Sequence, residues 1–290
     1  MRQEIPLAGK KSRRKEFQPI AGRRANLLAI ATLGFLGLFV LIILVLVASD
    51  VHYLASRKIL LGEVWGILTS ANVLAAIRLS ILTSLTTLAL VILFSVPVGY
   101  ALSRYRFRGH AVVNAIVDVP IVLPPVVIGV SLLAFFATPL GEMIKAGLKG
   151  AGWSLVSGIG IVLCQFLVSI SYSIRATKAS FDSVHQGLEH VAMSLGCSPG
   201  QAFWRVTLPL ARNGLIAGSV MAWARAIGVF GPLMVFVGTS PRVMVMPTTV
   251  WLELSVGNIE TCLAVALVML SLAGAALFVV HWLAPGRRWT

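Results

Sequence analysis

The chain has 290 residues, of which 58% are hydrophobic and only 12% are charged, about half the charged share of an ordinary globular domain. A soluble domain of this length must cover itself with polar side chains, so a soluble enzyme and a disordered chain are both excluded. The few charges are unbalanced, with 24 Lys+Arg against 10 Asp+Glu and a net charge of +14.

In a soluble protein that excess would point to nucleic acid. Its position points instead to a membrane, because eight basic residues (Arg2, Lys10, Lys11, Arg13, Arg14, Lys15, Arg23 and Arg24) precede the first apolar run. Cytoplasmic flanks of membrane proteins concentrate Lys and Arg in this way. Cys164, Cys197 and Cys262 form no CxxC pair and no zinc spacing, so no metal site is expected. Val47-Ala48-Ser49 resembles a cleavage site, but the apolar run before it is too long for a removable signal segment, and an uncleaved span is expected.

Apolar runs of about 20 residues match the ~30 Å hydrocarbon core of a bilayer. Six occur, over 27–49, 73–102, 111–137, 155–174, 210–237 and 259–283. If the connections alternate sides, one face receives 17 Lys/Arg and the other five, Arg57, Lys58, Lys145, Lys149 and Arg242, while Arg78 and Arg225 lie inside runs. The bias puts both termini in the cytoplasm. The outer connections read as short caps. In 50–72 the stretch Val64-Trp65-Gly66-Ile67-Leu68 is apolar enough for the interface, and the Gly-rich 138–154 reads as an exposed turn.

The third run contains Asp118-Val119-Pro120-Ile121-Val122-Leu123-Pro124-Pro125. Each proline removes a backbone donor, and freed carbonyls at membrane depth are tolerated where protein or a wet cavity meets them. The break therefore reads either as a translocation path or as a kinked packing helix. Arg225, inside the fifth run, needs a partner or a wet cavity, and Asp118 is the candidate partner. No nucleophile elbow, no H-E-x-x-H and no nucleotide-phosphate loop occurs in the sequence, so no catalytic residue is assigned and any ATP must be bound by another subunit.

The longest inner segment carries the most information. From a cap at Asp182 or Ser183, 184–195 reads as an amphipathic helix with Val184, Leu188, Val191, Ala192 and Leu195 on one side. Gly196 ends it, Ser198-Pro199 starts a second helix, and Leu208-Pro209 leads into the fifth run. The result is a helix-turn-helix knob between two spans.

This segment resembles the signature loop of permease subunits of ATP-binding cassette importers, Glu-Ala-Ala-x3-Gly-x9-Ile-x-Leu-Pro. Here it runs His190-Val191-Ala192, three residues, Gly196, nine residues, and Val206-Thr207-Leu208-Pro209. His190 stands in place of the motif's Glu and Val191 in place of its first Ala, with Glu189 adjacent. Ser198-Pro199, Arg205 to Leu210 and Arg225-Ala226-Ile227-Gly228 extend the likeness. Leu123-Pro124-Pro125-Val126-Val127, Met246-Pro247-Thr248-Thr249 and Leu252-Glu253 resemble the molybdate, tungstate and sulfate branch, although Val229-Phe230-Gly231 stands where that branch commonly has Glu-Phe-Gly. The likeness spans roughly 73–283.

The resemblance implies an all-α polytopic protein of six transmembrane helices in a bacterial inner membrane. Its parts are a basic segment (1–26), a first helix and outer loop (27–72), the permease domain (73–284) and a cytoplasmic tail (285–290). It implies a transport subunit rather than an enzyme. No cofactor is expected in this chain, with ATP and Mg held by a partner ATPase subunit. The other partners are a second permease copy, an extracytoplasmic binding protein and membrane lipid; no nucleic acid is expected. Coupling to the ATPase falls to Glu189, His190, Val191, Ala192, Gly196, Val206, Leu208 and Pro209, and the path to Asp118, Pro124, Pro125, Arg225 and Phe230. The implied cargo is molybdate or tungstate, with sulfate or thiosulfate second. Another ligand such as phosphate or an iron complex, or a secondary transporter, is the alternative.

Overall fold

The structure is a computed structural model that describes residues 23–56, 61–150, 155, 158–238, 240 and 243–283. All regular elements among them are helical. The chain divides into two compact units, Met1–Tyr53 and Leu54–Thr290. Most of the basic amino-terminal segment and the carboxy-terminal tail lie outside the described residues.

Helix α1 (Arg23–Ser56) carries the first apolar run beyond its expected end. In the second unit follow α2 (Leu61–Leu68), α3 (Ala71–Arg104), α4 (His110–Val122), α5 (Pro125–Phe136), α6 (Pro139–Gly150) and α7 (Gly158–Asp182). The knob contains α8 (Gln186–Ser194), the single turn α9 (Pro199–Ala202) and a π-helical turn, Phe203–Thr207. Then come α10 (Leu208–Ile227), α11 (Gly231–Phe236), α12 (Met246–Ser255) and α13 (Ile259–Leu283). Four stretches are long and apolar enough to cross a membrane, Ile30–Tyr53, Ala71–Arg104, Gly158–Asp182 and Ile259–Phe278. The pair α4 and α5, bent by 109°, makes a fifth if it is one span.

The bend follows from local sterics. A residue before proline is pushed out of the helical region, and two such residues stand in a row: Leu123 has ψ 135° and Pro124 ψ 130°. Pro125 then opens α5 at its first turn, where its missing N–H costs nothing. Pro120 stays inside α4, so the break is set by the Pro124-Pro125 pair and not by all three prolines. The fifth expected run is also divided, since α10 ends at Ile227 and α11 begins at Gly231.

Two boundaries differ from expectation. Residues 139–150 form a helix instead of an exposed turn: the Thr138 hydroxyl accepts the Gly141 N–H at 3.2 Å, and Lys145 pairs with Glu142 one turn away at 2.8 Å. Helix α7 runs to Asp182, eight residues past 174. Nothing in 175–182 breaks it, and Lys178 reaches Asp182 at 2.6 Å across one turn. Arg175 and Lys178 therefore sit on a helix and not in a loop.

Helix α7 is the axis of the second unit, packed between α3 and α10. Backbones approach closely because the facing residues are small. A Cβ added at Gly99 of α3 would stand 2.7 Å from Thr177 Cγ2, and one at Gly218 of α10 would stand 2.5 Å from Ala176 Cβ. Buried polar side chains pair along the α3–α7 seam: Thr87 donates to Gln165 at 2.9 Å and Ser173 to Ser95 at 2.9 Å. Each pair satisfies groups that would otherwise be stranded in an apolar interior. On the other side of α7, Ile161, Cys164 and Val168 pack with Ile128, Leu132 and Phe136 of α5 and with Leu233 and Val237.

Placing a β-branched side chain at this contact is expected to destabilise the unit. Gly218→Val should lower the stability of detergent-solubilised protein by about 1–3 kcal/mol, the usual penalty for overpacking, read as a fall in melting temperature. Gly147→Ala is the control, since a Cβ there meets nothing within 4 Å. A Gly218→Val protein that melts with wild type would contradict the close approach.

Candidate functional site

The knob is built by short-range signals. His185 caps α8, its Nδ1 accepting the Gly187 N–H at 3.0 Å, so the cap is neither Asp182 nor Ser183. At the other end, Gly196 takes φ +94°, its N–H bonds Met193 O at 3.0 Å, and the Cys197 N–H bonds Ala192 O at 3.1 Å. This double closure is a Schellman motif, which favours glycine at the left-handed position. Ser198 and Gln201 form a reciprocal capping box, with bonds of 3.3 and 3.0 Å, and Pro199 occupies the first turn as expected. The π-helical turn then delivers the chain to Leu208 and Pro209, which is exposed.

The face that α8 buries is not the expected apolar one. Ala192 and Val184 are buried, but Leu188, Val191 and Leu195 are 47%, 59% and 82% exposed. Turned inward instead is Glu189, 8% exposed. Its Oε1 accepts Arg104 Nε at 2.7 Å and Thr207 Oγ1 at 2.7 Å, and its Oε2 accepts Tyr100 Oη at 3.1 Å. Arg104 donates further to Val184 O at 3.0 Å and to Ser103 Oγ at 3.2 Å. A charged group that is buried must be paired and hydrogen-bonded, and this carboxylate is held by three donors. Satisfying it forces the apolar stripe outward.

Burial raises the Glu189 pKa, but the hydrogen bonds from Thr207, Arg104 and Tyr100 and the Arg104 charge outweigh it, so the carboxyl lies below its usual range. The pair therefore stabilises the fold at neutral pH, and that contribution is lost as pH falls through the depressed pKa. His190 is exposed and, with Arg104, lines two cavities of about 180 and 500 Å³. Val206 is half-buried and Leu208 packs against the cluster of Phe181, Val184 and Ala211.

Sequence reasoning missed Arg104, Tyr100 and Thr207. In the sequence Arg104 is only one of the 17 basic residues of the inner face, and its partner is 85 positions away. The one available signal was the acidic residue beside the signature position.

The expected path residues are only partly brought together. Asp118 of α4 pairs with Arg175 of α7 and not with Arg225. Arg225 instead lies with its guanidinium carbon 5.7 Å from the Tyr172 ring centroid, and its buried Nε has no hydrogen-bond partner among the described residues. Tyr172 and Arg175 are three apart on α7, so Asp118 and Arg225 approach the same turn without meeting. Pro124 is exposed and Pro125 half-buried at the start of α5. A Cβ at Gly231 would lie 2.6 Å from Val126 Cγ2, which brings the starts of α11 and α5 together. Phe230, immediately before Gly231, lies against Trp251 of α12 in a tilted contact with centroids 5.4 Å apart. No group of three or more His, Cys, Asp or Glu that could hold a metal ion occurs among the described residues.

Comparison with known proteins gives this arrangement a family. The chain is 36% identical over 214 residues to the probable molybdenum ABC transporter permease protein of Haloferax volcanii, covering 73% of this chain and 76% of that one. It is 37% identical over 163 residues to the molybdate/tungstate transport system permease protein WtpB of Pyrococcus abyssi, covering 56% of this chain and 60% of that protein's length. Its fold is similar to a chain of a bacterial alginate ABC transporter, with a TM-score of 0.64 and 18% identity over 89% of this chain and 93% of that one. The profile of one family matches residues 92–289, which include the knob, α10 and the divided segment after it, and the chain belongs to that family, the binding-protein-dependent transport system inner membrane components.

Proposed function

We propose that this chain is the permease subunit of an ATP-driven importer for molybdate or tungstate. The observation that carries the reading is the knob: a rigidly capped helix pair that buries a charged residue and leaves Leu188, Val191 and Leu195 exposed. An outward apolar stripe on a charge-anchored helix fits a protein partner better than solvent. The cargo reading rests on the names of the two relatives above.

In this reading α1, α3, the α4–α5 pair, α7, the α10–α11 pair and α13 are six spans, with both termini and the knob in the cytoplasm, where 17 of the 24 basic residues would lie. A separate ATPase subunit binds ATP and Mg and receives the knob through His190, Val191, Gly196 and their neighbours. A binding protein delivers the anion to the opposite face, and a second permease copy completes the path within the bilayer. Closure of the ATPases pushes the knob, and the push enters α10 through Val206, Leu208 and Pro209. Arg225, with an unpartnered donor, and the Pro124-Pro125 bend beside Phe230 line the route of the anion. A buried guanidinium N–H without an acceptor suits an oxyanion.

Two substitutions test this. Gly196→Val forces a β-branched residue into a left-handed conformation, a strain of about 1–3 kcal/mol. It should insert normally but lose co-purification with the ATPase subunit or molybdate uptake, and unimpaired uptake would remove the coupling role. Arg225→Ala should lower molybdate uptake about ten-fold, the worth of one charge-assisted hydrogen bond, with assembly intact. Uptake at the wild-type rate would remove Arg225 from the path.

A further inference from the structure

The knob has a second connection to the membrane helices besides the chain itself. Along the chain it continues into α10 through the π-helical turn Phe203–Thr207, an irregularity of the kind at which helices bend. A push passing only through that turn would be partly absorbed by it. Glu189 bridges the turn, because the same carboxylate that accepts Thr207 Oγ1 also accepts Arg104 Nε and Tyr100 Oη of α3. The Arg104 and Glu189 side chains are 7% and 11% exposed, so the pair works at low dielectric, where separating the charges is strongly opposed.

Helix α3 then runs as one helix from Arg104 past Ser80, with Pro97 inside it two turns from Arg104. From Arg104 back to Ser80 is 24 residues, about 36 Å at the helical rise. There Ser80 Oγ accepts the Met246 N–H at 2.7 Å, at the first residue of α12. Ser80 and Met246 are both buried, 1% and 0% exposed. One helix thus touches the knob at one end and α12 towards the other.

We propose that Arg104 and Glu189 are a positioning pair that carries the stroke of the knob into α3, which transmits it to α12 at the far face. The inference rests on the permease reading above. It assigns Glu189 an internal role, turned away from the ATPase, and leaves docking to the exposed residues of the knob. Because spatial connection alone does not establish energetic coupling, the readout must separate transport from ATP hydrolysis.

The experiment uses the complete complex of permease, ATPase and binding protein in liposomes, with molybdate as the anion, measuring uptake and ATP hydrolysis in parallel. Arg104→Ala should keep ATPase co-purification while molybdate moved per ATP falls about ten-fold, within the range of ordinary coupling free energies. Arg104→Lys keeps the charge but not the fork of donors, and should lose about three-fold. Thr207→Val, which removes one hydroxyl from Glu189 and leaves the ion pair, gives a graded loss if Arg104→Ala fails to assemble. Wild-type uptake per ATP in Arg104→Lys and Thr207→Val would overturn the proposal, as would hydrolysis and uptake falling in proportion. A wild-type complex without ATP-dependent molybdate uptake would overturn the permease reading itself, and this inference with it.

Discussion

The backbone contact of α7 with both α3 and α10 is the constraint on which the second unit depends. Between apolar helices in an apolar medium there is little hydrophobic drive to associate, so close packing and interhelical hydrogen bonds hold them. Gly99 against Thr177 and Gly218 against Ala176 permit the approach. Thr87 with Gln165 and Ser95 with Ser173, each pair separated by 78 positions, fix the register. The same offset places Gly99 opposite Thr177. One further turn brings Ser103 to Asp182 at 2.6 Å, and Arg104 beside the knob.

The knob inherits its geometry from that register. Its helix ends are set locally, by His185, by the Gly196 closure and by the Ser198–Gln201 box. Its orientation is set by Arg104, the last residue of α3, which draws Glu189 inward. A helix whose polar residue is buried must show its apolar residues outside, and so the demand of one carboxylate for partners creates the exposed stripe of Leu188, Val191 and Leu195. The internal anchor and the exposed stripe are two sides of one choice.

The charges within the bundle follow a similar logic. Asp118 is neutralised by Arg175, which the extension of α7 carries onto a helix face. Arg225 is thereby left beside the Tyr172 ring, with an Nε that no described residue satisfies. A cation with free hydrogen-bonding capacity among apolar helices needs a polar partner or a wet cavity.

The hydropathy runs, the Pro124-Pro125 break, the glycine stop at 196 and the Ser198-Pro199 start were all legible in the sequence, because each depends on residues within a turn or two of one another. The membrane setting was legible as well, from composition and from the location of the basic residues. The face that α8 buries, the partner of Asp118 and the importance of Arg104 were not. Each depends on groups 57 to 89 positions apart, and periodicity counts apolar residues without knowing where a distant guanidinium will stand. The sequence by itself determined that the chain crosses a membrane, where the third apolar run breaks and where the knob turns at Gly196 and restarts at Ser198. Only the tertiary structure decided which side of the knob faces inward and which guanidinium keeps a donor that no described residue satisfies, because a charged group takes whichever partner the packing of distant helices brings within hydrogen-bonding reach.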